Sequence, residues 1–204
     1  MKVLLVNGSP RANGCTFTAL SEVAKELERL GIDTEFFQIG NKPVRGCIGC
    51  RKCRSIGKCV FDDDLANELA QKMKEADGFV LGSPVYFAGP NGAFCALLDR
   101  VFFSCSDLHD KVCASVVSCR REGSSAAFDR LNKYFTIRNC MVATSTHWNT
   151  VHGDKPEDVL QDLEGLQTLR TLAVNMAAML KNFNGEGAER AERETKKFKT
   201  SFIR

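Results

Sequence analysis

Four cysteines lie close together in the segment GCIGCRKCRSIGKC. Cys47, Cys50, Cys53 and Cys59 have the spacing C-x2-C-x2-C-x5-C, which places four thiols on one loop. Thiolates bind soft metals and clusters, form disulfides and carry out redox chemistry. The spacing alone leaves a metal cluster, a zinc ion and free thiols open, and in the last case the first two cysteines are an oxidisable pair.

The composition of the 204-residue chain narrows these options. The first apolar run, VLLV, is too short for a signal-peptide core, and no later run reaches the roughly 20 residues of a transmembrane helix. We therefore expect a cytoplasmic protein, in which its ten cysteines indicate metal or redox chemistry more than disulfides. With 28 Lys and Arg against 25 Asp and Glu, the charge favours neither a nucleic-acid nor a membrane partner.

A second group of polar residues lies in the loop NGSPRANGCT, residues 7–16. Its glycines let backbone N–H groups approach a ligand, and Ser9, Asn13 and Thr16 add hydrogen-bond donors. Arg11 adds a positive charge, and the start of the following helix adds its dipole. The loop is therefore predicted to bind an anion such as a phosphate.

Two common nucleotide-binding loops do not fit this segment. A Walker loop requires Gly-Lys followed by Ser or Thr, whereas residues 14–16 read GCT. A dinucleotide-binding Rossmann unit requires G-x-G-x-x-G and an acid at the end of the second strand, where residues 38–40 read QIG. The sequence thus excludes both of these nucleotide sites.

A third feature is the loop GSPVYFAGPNGA, residues 82–93. Four of its side chains form a flat apolar and aromatic platform, namely Pro84, Val85, Tyr86 and Phe87. Pockets for planar ligands are lined by surfaces of this kind. The loop is predicted to bind a planar ring.

The loop SCRREGSS, residues 118–125, is predicted to add Ser118 and Arg120 to the same site. A phosphatase loop C-x5-R is excluded, because Ser125 occupies the position of the arginine. A monophosphate cradle beside a platform for a planar ring describes an FMN site at the switch point of an open parallel sheet.

The apolar pattern predicts the elements that position these loops. Continuous apolar runs indicate buried parallel strands at residues 2–7, 34–39, 78–83, 112–118 and 140–145. Helical spacing of apolar residues predicts helices at about 15–30, 62–76, 91–104, 124–135 and 156–181. We therefore expect an α/β fold with a doubly wound five-stranded parallel sheet, in the order 2-1-3-4-5, and helices on both faces.

Two of these motifs resemble a known family. GSPRANGCT and GSPVYFAGPNGAFCALLDR together resemble the flavodoxin-like NAD(P)H-dependent FMN reductase superfamily, whose members carry a GSPR-x-x-G-x-T phosphate loop and a GSPVY flavin loop. The likeness covers roughly residues 1–180. One departure is Cys15, where asparagine is usual; like Gly14, it is expected to contribute its backbone N–H to the phosphate. The resemblance implies a flavodoxin-like fold, bound FMN and NAD(P)H as cosubstrate.

The cysteine segment is similar to that of the iron-sulfur flavoproteins within this superfamily, which have C-x2-C-x2-C and a further cysteine shortly afterwards. This resemblance implies a [4Fe–4S] cluster on Cys47, Cys50, Cys53 and Cys59. Zinc bound by four cysteines and empty thiols remain alternatives.

The expected activity is an FMN-dependent NAD(P)H oxidoreductase that passes hydride to FMN and on to a quinone, nitro compound, azo compound or flavin. The alternative is an electron carrier between a ferredoxin-like donor and FMN, and a third possibility is a zinc-stabilised redox sensor. The segment TSTHWNTVHG, residues 144–153, is predicted to line the nicotinamide or acceptor pocket.

The expected domain organisation is one FMN-binding domain at residues 1–184, with a four-cysteine loop inserted at 41–61 and a charged tail at 185–204. The tail carries Phe198 and Phe202, which would be better buried against another chain than left in water. We therefore expect a homo-oligomer, a dimer or a tetramer.

Overall fold

The computed structural model of the protein describes residues 1–105 and 107–184, so the predicted tail lies outside the described residues. The strands are β1 Lys2–Asn7, β2 Asp33–Gln38, β3 Gly78–Tyr86, β4 Gly89–Pro90, β5 Val112–Cys119, β6 Met141–Val142 and β7 Thr150–His152. The helices are α1 Cys15–Arg29, α2 Cys53–Ile56, α3 Ala66–Glu75, α4 Gly92–Ser104, α5 Ser124–Ile137, α6 Pro156–Val159 and α7 Leu163–Asn184.

The main sheet has the order β2-β1-β3-β5-β6, and its strands are parallel. β7 pairs in parallel with the carboxyl end of β5, so β6 and β7 share the fifth position. The predicted order 2-1-3-4-5 is therefore confirmed. The two-residue strand β4 lies outside this order, because it folds back and pairs antiparallel with the end of β3.

The continuous apolar character of β1 follows from helices on both faces of the sheet. Val3 and Leu5 belong to the core cluster that includes α1 and α7. Leu4 and Val6 point to the opposite cluster, which includes α3, α4 and α5. All four side chains are fully buried. Within residues 1–105 and 107–184, no helix has both the length and the apolar character needed to cross a membrane.

The fifth strand differs from the prediction of one run at 140–145. β6 ends at Val142, and the chain rejoins β5 only at Thr150. Between them, buried Asn149 satisfies the edge of β5: its carbonyl oxygen accepts the Val117 N–H (2.9 Å), and its side-chain amide donates to the Ser115 carbonyl (3.0 Å). Side-chain and loop contacts thus replace part of the strand ladder.

The last helix was predicted as one element at 156–181, and that prediction is wrong in one respect. The structure has α6 and α7, separated by a turn in which Asp162 accepts the Gly165 N–H (2.9 Å) as a helix cap. Leu160 and Leu163 continue the apolar spacing of the predicted helix, but they are 57% and 74% exposed. The buried stripe begins one turn later.

The helix predicted to open with the acids at residues 62–64 begins at Ala66. Asp64 accepts the Ala66 N–H (3.1 Å) and also forms an ion pair with Arg100 of α4. The acid therefore accepts a hydrogen bond from the first residue of α3 and compensates a buried cation.

Candidate functional site

The loop between β1 and α1 is organised by Asn7. Its side-chain oxygen accepts the Ser9 N–H (3.1 Å), and its side-chain nitrogen donates to Gln38 at the end of β2 (2.5 Å). The Ser9 hydroxyl in turn accepts the Arg11 N–H (3.1 Å). Helix α1 then starts after Gly14 with no side-chain cap on its first turn. Its leading N–H groups are therefore available to an anion.

The predicted loops meet at the carboxyl edge of the sheet. The Gly8 N–H donates to the Gly82 carbonyl (2.8 Å), and the Asn91 side chain donates to the Gly8 carbonyl (2.8 Å). The hydroxyl oxygens of Thr16 and Ser118 are 2.8 Å apart. These contacts join the first loop to the second and to the end of β5.

Two glycines permit this close approach. A Cβ on Gly8 would lie 2.2 Å from the Phe94 ring and 2.6 Å from the Gly82 carbonyl oxygen. Gly123 has a φ of +84°, and a Cβ there would lie 2.7 Å from the Cα of Ala88. The loop after β5 therefore packs directly on the turn between β3 and β4.

The predicted binding residues divide by exposure. Buried members are Ser9, Gly14, Thr16 and Ser118; half-buried members are Cys15, Pro84 and Val85; exposed members are Arg11, Asn13, Tyr86, Phe87 and Arg120. All of them lie in or beside the loops that follow β1, β3 and β5 at the carboxyl edge of the sheet.

The Cys15 thiol is directed into the protein. It donates to the Gly153 carbonyl oxygen (3.7 Å), and burial raises its pKa above the usual value. Its backbone N–H, in the first turn of α1, is the group that a ligand in the loop would meet. This arrangement fits the expectation that the side chain at this position matters little.

The aromatic platform is the tip of a hairpin. Tyr86 pairs with Gly89, which leaves Phe87 and Ala88 as a two-residue turn with φ values of +50° and +58°. Positive φ at both positions is the type I′ geometry that suits tight hairpins, although it is uncommon for residues such as these. The Phe87 side chain is fully exposed, and Tyr86 is 44% exposed. The hairpin extends β3 beyond its predicted end at residue 83.

The four cysteines line one shared cavity. Cys47 and Cys50 are exposed, whereas Cys53 and Cys59 are partly buried. The Cys53 residue begins the short helix α2 within the segment. The structure therefore brings all four predicted ligands together.

Arg100 was not predicted as a site residue. It is 1% exposed, and its guanidinium donates to the carbonyl oxygens of Arg45 (3.3 Å) and Phe61 (3.1 Å) and to the Cys59 sulfur (3.3 Å). It also forms the ion pair with Asp64. A buried guanidinium is costly unless its donors are satisfied, and the cysteine segment supplies the acceptors. An arginine on the apolar face of the predicted helix was the signal that could have revealed it.

A zinc ion and a [4Fe–4S] cluster place different demands on four thiolates. Tetrahedral zinc with Zn–S bonds of about 2.3 Å needs sulfurs about 3.8 Å apart. In the described part of the chain, no three His, Cys, Asp or Glu side chains converge to hold a single ion. A [4Fe–4S] cluster takes four thiolates around a larger core, so its ligands surround a space. The four cysteines line one cavity, so their residue type and placement suit the ligand set of such a cluster.

The segment at residues 144–153 lies at the carboxyl edge of the sheet, where β7 pairs with the end of β5. His147, Trp148 and His152 line a cavity of 260 Å³ together with Asp162. The His152 Nδ1 is 3.2 Å from an Asp162 carboxylate oxygen, which fixes the orientation of the ring. Binding of nicotinamide or an acceptor there stays a prediction.

Residues 1–155 match the model of a protein family described as NADPH-dependent FMN reductase. The chain belongs to this family. The resemblance to FMN reductases that the two glycine-rich loops indicated is thereby confirmed.

Two proteins named iron-sulfur flavoproteins are similar to most of this chain. An iron-sulfur flavoprotein of Methanocaldococcus jannaschii is 35% identical over 193 residues, which cover 89% of this chain and 98% of the relative. An iron-sulfur flavoprotein of Methanosarcina thermophila is 31% identical over 189 residues, which cover 88% of this chain and 95% of the relative.

Solved structures support the fold. RosB, with a bound 8-demethyl-8-formylriboflavin-5′-phosphate intermediate, has a TM-score of 0.74 at 15% identity, over 93% of this chain and 82% of RosB. A flavodoxin, WrbA-like protein from Agrobacterium tumefaciens has a TM-score of 0.61 at 16% identity, over 88% of this chain and 97% of its own. The predicted flavodoxin-like α/β fold is confirmed.

Proposed function

We propose that the protein is an FMN-dependent oxidoreductase that takes hydride from NAD(P)H and reduces a small acceptor: a quinone, a nitro compound, an azo compound or a flavin. The observation that carries this proposal is the junction of an uncapped helix start with an exposed aromatic hairpin at one sheet edge. Membership of the NADPH-dependent FMN reductase family supports it. Bound FMN would supply the redox chemistry, because its ring accepts hydride and returns electrons to a second substrate.

The first loop would hold the FMN phosphate. The leading N–H groups of α1 supply donors and a positive dipole end. The paired hydroxyls of Thr16 and Ser118 supply a further donor, and Arg11 adds a charge at the exposed rim. A hydrogen bond from Asn7 to Gln38 ties the start of this loop to the end of β2.

The hairpin tip would hold the flavin ring. Tyr86 and Phe87 present apolar surface that is otherwise left in water, and Pro84 and Val85 form its half-buried base. The contact between Gly123 and Ala88 fixes the loop carrying Arg120 against this tip. The ring would therefore lie between two loops that already touch.

We further propose that Cys47, Cys50, Cys53 and Cys59 hold a [4Fe–4S] cluster. The shared cavity supports this assignment, as do the two relatives named iron-sulfur flavoproteins. A cluster would supply single-electron transfer. Because two of the ligands are exposed, electrons could enter there from a protein donor. This exposure favours a second candidate function, an electron carrier between a ferredoxin-like donor and FMN.

Residues 1–184 are proposed to form one FMN-binding domain with the cysteine loop inserted at 41–61, and the protein is proposed to be a homo-oligomer, a dimer or a tetramer. Exposed apolar side chains around the cysteines support the oligomer: Ile48 is 64% exposed, Ile56 51% and Phe103 45%. The contribution expected from the tail at 185–204 stays a prediction.

Stopped-flow mixing of the anaerobic, FMN-loaded protein with NADPH and, separately, NADH tests the activity. Rapid loss of oxidised-flavin absorbance with either nucleotide supports the reductase. Reduction by a reduced ferredoxin, with neither nucleotide effective, replaces the reductase with the carrier.

Metal analysis tests the cysteine assignment. Iron and sulfide in the wild-type protein, lost in Cys50→Ser while FMN stays bound, support the cluster. Zinc without iron supports the redox sensor instead.

A further inference from the structure

We propose that Arg100 is a positioning residue for the cysteine site: it fixes Cys59 through an N–H···S hydrogen bond and raises the reduction potential of the cluster bound there. This inference rests on the proposed function, in which the four cysteines of the segment hold a [4Fe–4S] cluster. A residue of α4 would thus influence a site whose ligands all lie in a different segment of the chain.

The contacts of Arg100 span the whole cysteine segment. It reaches the Arg45 carbonyl before the first cysteine (3.3 Å), and the Phe61 carbonyl after the last (3.1 Å). Its Nε donates to Cys59 (3.3 Å), and a terminal nitrogen pairs with Asp64. Each nitrogen of the guanidinium therefore bonds to residues 45–64, and the loop is anchored at both ends to one side chain.

The anchor itself is rigid. Arg100 lies on α4 beside Leu97 and Val101, which are fully buried in the core. The ring of Phe61 lies under two guanidinium groups. Its centroid is 4.3 Å from the Cζ atom of Arg45 and 5.6 Å from the Cζ atom of Arg100. A loop with almost no helix or strand of its own thus takes its shape from the packed core.

The same contact has an electrostatic consequence. Reduction adds one negative charge to a cluster, and hydrogen bonds to the ligand sulfurs stabilise the more negative state. The Arg100 donor is buried, so water screens it weakly. Asp64 offsets part of the positive charge, but the N–H remains directed at the Cys59 sulfur. The net effect is a higher reduction potential.

Arg100→Lys is the informative variant, because lysine keeps the charge but lacks the planar fork that reaches four partners. Asp64→Asn is its opposite: an asparagine oxygen can still accept the Ala66 N–H, but the charge that offsets Arg100 is removed. Arg130→Lys is a matched control, since Arg130 also pairs with an aspartate and stacks on an aromatic ring, but its hydrogen bonds within residues 1–105 and 107–184 go to Asp99 and Tyr134.

The experiment uses the full chain, loaded anaerobically with iron and sulfide, and measures the midpoint potential of the cluster by a redox titration followed by electron paramagnetic resonance. We expect a lower potential in Arg100→Lys, a higher potential in Asp64→Asn and no change in Arg130→Lys. In the apoprotein, hydrogen exchange in residues 45–64 should be roughly tenfold faster in Arg100→Lys than in wild type.

The outcomes separate the two claims. An Arg100→Lys protein with full iron content and the wild-type potential overturns this inference and leaves the cluster assignment standing. Should that variant fail to fold, an Asp64→Asn protein with an unchanged or lower potential overturns it equally. A wild-type protein that takes up no iron and sulfide overturns the cluster assignment, and this inference with it.

Discussion

The hydroxyl oxygens of Thr16 and Ser118 lie 2.8 Å apart, which joins the first turn of α1 to the end of β5 by one hydrogen bond. Each hydroxyl has a single hydrogen, and one of the two is used in this bond. The second O–H is left to donate to a ligand. Both residues are almost fully buried, at 1% and 4% exposure, so water competes little with an anion for this remaining O–H donor.

Thr16→Val keeps the shape of the side chain but removes this hydroxyl. We expect FMN to bind about tenfold more weakly, which corresponds to roughly 1.4 kcal/mol for one lost hydrogen bond. Fluorescence titration of the apoprotein with FMN measures the change. Thr18→Val is the control, because that hydroxyl donates to the backbone carbonyl of Gly14, just before the helix. Wild-type affinity in Thr16→Val would place the phosphate elsewhere.

Arg11→Ala removes the positive charge at the rim of the first loop. Since Arg11 is exposed, we expect a loss of about fivefold in FMN affinity that shrinks as salt is added. Isothermal titration at two ionic strengths measures it. Arg29→Ala, at the far end of α1, should leave the affinity unchanged, and equal effects of the two variants would contradict a specific role for Arg11.

Gly8→Ala would bring a methyl group against the Phe94 ring and the Gly82 carbonyl. The clash should lower the free energy of unfolding by about 3 kcal/mol, because neither the backbone nor the packed ring can move away freely. Urea unfolding of the apoprotein measures this. Gly92→Ala has open space around the new methyl group and should change stability by less than about 0.5 kcal/mol. Similar stabilities for the two variants would show that the loop contact is loose.

Glu35 gives a prediction on pH. A hydrogen bond from Lys2, and a second from Lys72, lower the pKa of this carboxyl below its usual value. A lowered folded-state pKa means that the stabilisation is present above the unfolded pKa and is lost as pH falls through the folded pKa. Glu35→Gln should therefore be less stable than wild type at pH 7, and the two should converge in acid. Urea unfolding of both proteins at pH 7 and in acid measures this, with Asp33→Asn as the control. A stability difference between wild type and Glu35→Gln that does not change with pH would contradict the linkage.

The sheet order and the meeting of the loops could be predicted from the sequence. Strands buried on both faces carry continuous apolar runs, and the carboxyl ends of parallel strands place their loops at one edge. The motifs at residues 7–16 and 82–93 therefore had to be neighbours. The contact between Thr16 and Ser118 is a direct result of this rule.

Features that depend on individual side chains were not predicted. Apolar spacing continues through Leu160 and Leu163, so nothing in the pattern shows that Asp162 caps a new helix between them. The contacts that Asn149 makes with β5 likewise leave no periodic signal. Arg100 was visible as a charge among apolar residues, but its partners lie 36 to 55 positions away in the sequence.

The central claim is that the first loop binds the phosphate of a flavin whose ring lies on the hairpin tip. Titration of the apoprotein with FMN and with riboflavin tests it most directly, because the two ligands differ only in that phosphate. We predict that FMN binds at least about 100-fold more tightly, the scale of two charge-assisted hydrogen bonds, and that Thr16→Val narrows the gap. Equal affinities for FMN and riboflavin would contradict the account.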